Sequence, residues 1–158
     1  LVSGNPDNRD FTIRAHDHPV AMTRLSRDGF YVVSASDQGT CIRLFNAQTG
    51  DRIGEFRRGS FRASIRQIVF SRQCDQIAIT SSKGTVHIFV ISETNSDQLS
   101  QQRSKLSWKP PEGSGCVISF GESDILMAAS ETGRFYRVGG LEKLSELSDI
   151  DFTEQLQR

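Results

Sequence analysis

Arg57 and Arg58 stand side by side and are closed by Gly59. A guanidinium keeps its charge at any physiological pH and grips phosphate oxygens with two parallel N–H donors, so a tandem pair points to anion recognition. On a strand, successive side chains leave opposite faces. Two adjacent arginines on such an element therefore make two anion sites rather than one. Gly59 has no side chain, which lets the backbone turn tightly or lets a ligand approach closely.

The surroundings sharpen the question. The chain of 158 residues carries 19 basic and 19 acidic side chains and has no net charge, so its overall field does not steer it toward nucleic acid. The charge is unevenly placed. Between Arg52 and Arg72 there are six arginines and one acid, Glu55, whereas Leu141 to Arg158 holds five acids against Lys143 and Arg158. Catalytic arrangements are weak by comparison. Ser34, Asp37 and His16 carry the letters of a hydrolytic triad, but no nucleophile elbow, phosphate loop or metal-ligand spacing accompanies them. The reading is of a protein that is not an enzyme and holds no cofactor. The three cysteines, Cys41, Cys74 and Cys116, are odd in number and widely spaced, which predicts reduced, buried thiols of an intracellular protein. No apolar run has the length of a membrane span, and no signal peptide is evident. The chain opens on Leu1 rather than Met, as a processed, trimmed or partial chain does.

The elements that must hold these arginines are short strands. Residues 19–26, 30–36, 41–47 and 52–57 are β-like runs split by the turns RDG, DQGT and TGD. The grammar repeats over 64–91 and again over 115–138, and the glycines opening the third strand of each copy, Gly39, Gly84 and Gly133, lie 45 and 49 residues apart. Four strands in roughly 40–45 residues is the size of one propeller blade of WD40 type. The chain is thus expected to be all-β, a single partial WD40-like β-propeller domain over 1–158, with about three four-stranded blades near 14–59, 60–108 and 113–150. Residues 92–114 are expected to form a long polar loop with a short outer strand near Leu106–Trp108, and residues 141–158 to form a final strand plus tail or a short helix. Phe45, Phe70, Phe89 and Phe120 are expected in the core. His16 is expected to brace a turn by hydrogen bonding to Asp37. Three blades do not close a ring, which needs about four to eight. The remaining blades are expected in the same or another chain.

The stretch SASDQGTCIRLFNAQTGDRIGEFRRG followed by SSKGTVHIF resembles the PROPPIN family, called WIPI proteins in animals. The diagnostic Phe/Leu-Arg-Arg-Gly motif stands here as Phe56-Arg57-Arg58-Gly59, with AHDHPV, SASDQGT and GTVHIF flanking it in order. The likeness is strong from Phe11 to Phe89 and weaker over the third copy. It implies a seven-bladed propeller, of which this chain matches the fifth to seventh blades, and a peripheral membrane protein that binds phosphatidylinositol 3-phosphate and the 3,5-bisphosphate.

Carried over position by position, the resemblance implies two pockets. The first takes Ser34, Ser36, Gly39, Thr40 and Arg43, with Arg57. The second takes Ser81, Thr85 and His87, with Arg58. Small hydroxyls suit this work because they donate to phosphate or inositol oxygens without filling the space, and Thr85 and His87 share one strand face. The family also inserts a loop at this point of the ring into the bilayer, which marks Leu99, Arg103, Lys105, Leu106 and Trp108 as a membrane-contacting set. The implied setting is the cytoplasm and the surface of preautophagosomal, endosomal or vacuolar/lysosomal membranes. The implied partners are 3-phosphorylated phosphoinositide membranes and autophagy proteins of the lipid-transfer or conjugation machinery. Two competing readings remain. Arginines interleaved with Phe56 and Phe61 could form a nucleic-acid surface, although no RNA-binding signature accompanies them. A propeller that only scaffolds other proteins is the more serious alternative, because fold does not fix function.

Overall fold

The computed structural model describes residues 11–91, 101–138 and 149–151. Among these the regular structure is almost entirely β, in three antiparallel sheets. The first holds β1 (Val20–Leu25), β2 (Tyr31–Ser36), β3 (Cys41–Asn46) and β4 (Arg52–Arg57) in sequence order. The second holds β5 (Ile65–Phe70), β6 (Gln76–Ser81), β7 (Val86–Val90) and β9 (Leu106–Trp108). The third holds β10 (Cys116–Phe120), β11 (Leu126–Ser130), β12 (Arg134–Val138) and β13 (Asp149–Asp151). A three-residue strand, β8 (Gln101–Arg103), joins the first sheet parallel to β4. The segment expected as a loop with one outer strand therefore carries two strands, and they serve different sheets.

Period-two alternation explains how the sheets stack. In the first sheet Val33, Ala35, Ile42, Leu44 and Phe56 are buried in one core with Ile65, Ile68, Ile77, Ile79 and Phe89 of the second sheet. The rings of Phe56 and Phe89 lie 5.2 Å apart and seal this core near the outer strands. The second sheet is covered on both sides, which is why β6 reads as a nearly unbroken buried run. Its other face, with Ala78, Val86 and Ile88, packs on Cys116, Ile118, Leu126, Ala128 and Tyr136 of the third sheet. There Trp108 meets Tyr136 edge to face at 5.1 Å. The Gln67 side-chain amide ties the two inner strands, donating to the Ile118 carbonyl and accepting from its N–H, both at 2.8 Å. Phe45 and Phe89 are buried, and Phe70 and Phe120 pack at the core margins. Cys74 and Cys116 are buried free thiols, and Cys41 is half-buried.

The repeat also shows in the turns. Ser26 donates to Asp28 at 2.6 Å and accepts from the Tyr31 N–H; Ser71 does the same with Asp75 and Gln76 at the corresponding place in the second sheet. At the other end of the sheets Gly39 sits at φ +59°, and a Cβ there would lie 1.9 Å from the Ala63 carbonyl oxygen. Only glycine fits, because the connection to β5 crosses directly over that turn.

Candidate functional site

The ladder fixes which side of the first sheet each arginine serves. Arg57, the last residue of β4, is in register with Cys41 of β3, and Arg43 is in register with both Ser34 and Glu55. Residues in register share a face, so Ser34, Ser36, Arg43 and Arg57 all lie on the side turned away from the second sheet. Arg58 follows in alternation and lies on the Phe56 side. Its guanidinium donates to the Gly39 carbonyl at 2.5 Å and to the Phe61 carbonyl. Its backbone N–H donates to the Thr40 carbonyl at 2.9 Å.

The second sheet turns the Ser81, Thr85 and His87 side toward the first, near enough for the Arg58 charge to act on His87. His87 lies level with Ile79 and stacks along Phe89, both members of the shared core. Burial lowers the His87 pKa below its ordinary value, and the positive charge of Arg58 lowers it further. His87 is therefore neutral at pH 7, with Nδ1 3.4 Å from the Ser104 hydroxyl. Burial likewise depresses Arg58. Its pKa still leaves the cation intact. Ser81 is buried and Thr85 is half-buried at the start of β7.

The first cluster is not simply a ring of free donors. The Arg43 guanidinium donates to Glu55 at 2.8 Å and to the Ala15 carbonyl at 2.7 Å. Glu55 is its cross-strand neighbour, so this pair follows from register, and it holds Arg43 in place as a brace. Ser34 is buried and bonded to His16 at 2.9 Å. The expected partner of His16 was Asp37. Asp37 instead takes an ion pair from Arg62 at 2.9 Å and a hydrogen bond from Gln38. Burial lowers the His16 pKa, and Arg43 lowers it further.

The membrane-contacting set divides. Leu99 lies outside the described residues. Leu106 and Trp108 belong to β9 and, half-buried, pack against the second core. Their strand closes the second sheet, and its inward residues are taken up by Tyr136 and Ile88. Arg103 is exposed on β8 and directly in register with Arg57. Lys105 is exposed between β8 and β9, its N–H bonded to the Ile88 carbonyl. The sequence gives no signal for the β4–β8 pairing, since it joins segments more than forty residues apart in a parallel ladder. No group of three or more metal-ligating side chains occurs among the described residues. Among them, too, no helix is long and apolar enough to cross a membrane.

The sequence signature of PROPPIN matches residues 1–110. The chain belongs to the PROPPIN family. Its first 110 residues carry the match, including the Phe-Arg-Arg-Gly strand and both hydroxyl clusters. The chain is 46% identical over 88 residues to autophagy-related protein 18 of Vanderwaltozyma polyspora, which covers 54% of this chain and 16% of that protein. It is 43% identical over 86 residues to SVP1-like protein 2 of Saccharomyces cerevisiae, again 54% of this chain and 19% of that one. The PROPPIN match thus spans less than a fifth of those relatives' lengths. Among solved structures, Kluyveromyces lactis Hsv2 with its complete loop 6CD superposes with a TM-score of 0.68 at 29% identity, covering 79% of this chain and 44% of that one. A complex of KlAtg21 with the coiled coil of AgAtg16 has a TM-score of 0.69 at 24% identity and covers 85% of this chain and 42% of that one. The three sheets are blades of a β-propeller.

Proposed function

We propose that this chain anchors its protein peripherally to membranes by binding the headgroups of phosphatidylinositol 3-phosphate and the 3,5-bisphosphate in two separate pockets. Arg57 serves the first, with Ser34, Ser36, Gly39 and Thr40 as neutral partners and Arg43 as a brace. Arg58 serves the second, with Ser81, Thr85 and His87. The mechanism is recruitment without chemistry. Engaging one headgroup raises the effective concentration of a second on the same surface, so two weak sites give a useful combined affinity. The autophagy names of the curated relatives support a role in autophagosome formation or in remodelling of endosomal and vacuolar membranes. In that role the anchored propeller presents itself to autophagy proteins, as KlAtg21 does to a coiled coil.

The observation that supports this reading is the divergence of Arg57 and Arg58 at the end of one outer strand: Arg57 lies in register with Cys41 on the face turned away from the second sheet, and Arg58 lies on the Phe56 side, tied to the Gly39 and Thr40 carbonyls. Co-sedimentation with vesicles containing a 3-phosphorylated lipid tests it. Replacing both Arg57 and Arg58 by Thr is expected to abolish binding. Unchanged binding by that variant would end the lipid reading and leave the protein scaffold in its place.

A further inference from the structure

Phe61 is the most exposed large apolar side chain among the described residues, at 81% of its surface. A lone surface phenylalanine is ordinarily unremarkable. This one differs in three ways. First, the others have strand or far-end positions. Val20 and Leu25 lie on β1 and Val117 on β10, Phe30 lies at the end of β2 opposite to Arg58, and the Phe11 ring lies against Gly50 of the β3–β4 turn, also at the far end. Phe61 sits on the connection between β4 and β5, at the end of the sheets that carries both arginines.

Second, the connection is clamped. The Arg58 guanidinium bonds the Phe61 carbonyl and the Gly39 carbonyl. Arg62 pairs with Asp37, and the Ala63 N–H donates to the Gln38 carbonyl at 3.1 Å. Ala63 is buried against Gly39. The backbone is held on both sides of Phe61 while its ring projects outward, so little order remains to be imposed on binding. Third, the turn is flanked by cations: Arg58 bonds the Phe61 carbonyl, and Arg62, next in sequence, is paired with Asp37. An aromatic tip flanked by cations is the chemistry of an anionic membrane interface, where the ring enters the headgroup–acyl boundary and the cations stay with the phosphates.

We infer that Phe61 is a membrane-inserting anchor beside the second headgroup site, with an anionic bilayer as its partner. This rests on the proposed lipid reading and adds a third point of contact, which fixes the tilt of the blades on the surface. Arg58 also links insertion to headgroup binding, because the side chain assigned to the second pocket is the one that holds the Phe61 turn.

The test compares the full chain with Phe61→Ser and Phe61→Trp. Vesicles of phosphatidylcholine and phosphatidylserine, with and without phosphatidylinositol 3-phosphate, report bilayer binding, and calorimetry with soluble inositol 1,3-bisphosphate reports the pockets alone. Phe61→Ser is expected to weaken vesicle affinity about tenfold while leaving headgroup affinity unchanged. Phe61→Trp is expected to keep vesicle binding, and its emission, after subtraction of the Trp108 signal, to shift to the blue and be quenched by lipids brominated on the acyl chains. Vesicle affinity unchanged in Phe61→Ser overturns the inference. So does a Trp at 61 that brominated lipid does not quench, which would point to a protein partner, or an equal loss of headgroup and vesicle affinity, which would make Phe61 part of a pocket. If the parent chain binds vesicles but no soluble headgroup, the pocket reading fails while the Phe61 comparison still decides. If it binds no vesicle of any composition, insertion is overturned as well.

Discussion

Arg58 has two tasks, and changing it to Lys separates them. Its guanidinium fork reaches two backbone carbonyls, Gly39 and Phe61, and thereby ties the turn before β3 to the connection after β4. A hydrogen bond from a charged donor contributes about 1.5–3 kcal/mol when its partner is shielded, and less where water competes. Arg58 is half-buried, and the Phe61 end of the fork is exposed. The pair together is therefore worth about 2 kcal/mol. Lysine keeps the charge but has a single ammonium point, which cannot hold both carbonyls in the fork geometry. Arg58→Lys is expected to lose about 1–2 kcal/mol of stability, or roughly 2–8 °C in melting temperature for a chain of this length. It should retain part of the headgroup affinity, because the cation remains. Arg58→Ala should lose at least as much stability, and the second site as well. Urea unfolding followed by circular dichroism measures this, with the midpoint shifting at constant slope. A midpoint for both variants equal to the parent's would refute the structural role of the fork.

Gly39→Ala forces a Cβ to within 1.9 Å of the Ala63 carbonyl oxygen at φ +59°, and should cost more than about 2 kcal/mol in urea unfolding; a neutral result would mean the connection does not cross there. His87 is held below its ordinary pKa by burial and by Arg58, so its contribution to stability is complete above pH 6.5 and is lost as pH falls below that value toward the folded pKa. The melting temperature should drop between pH 7 and pH 5.5, and His87→Gln should shrink that drop; an identical pH profile in the variant would contradict the assignment. Glu112 is held down to about 2 by hydrogen bonds from Tyr136, at 2.6 Å, and from Thr132. Its contribution is present above about pH 4.5 and disappears as pH falls through about 2, so Glu112→Gln should lower the melting temperature at pH 7 and bring it closer to the parent's at pH 2.

The arrangement was legible in the sequence wherever local rules act alone. Period-two alternation separated Arg57 from Arg58, and the recurring turn-glycine pattern marked the sheets, because strand faces and positive-φ turns depend on neighbours in sequence. Gly39, Gly84 and Gly133 indeed carry φ of +59°, +75° and +83°. What escaped was set by contacts distant along the chain. The parallel pairing of β8 with β4 places Arg103 beside Arg57, and no composition rule foretells it. By residue type Trp108 suits a loop tip or a core position equally, and its neighbour Tyr136, distant in sequence, sets its packing. His16 bonds Ser34, and Asp37 pairs instead with Arg62 from beyond the next two strands. The Arg43–Glu55 brace lay within reach of a cross-strand register argument, since a hairpin joins β3 to β4. Phe61 falls between two strand runs, and its exposure and the clamp on its turn become visible only in the fold.

The central claim is that two guanidinium groups leaving one strand serve two independent headgroups. Calorimetric titration of the full chain with soluble inositol 1,3-bisphosphate measures this directly. Two molecules bound per parent chain, one for each of Arg57→Ala and Arg58→Ala, and none for the double variant is the predicted result. One molecule per parent chain, or the loss of all binding on changing either arginine alone, would contradict it.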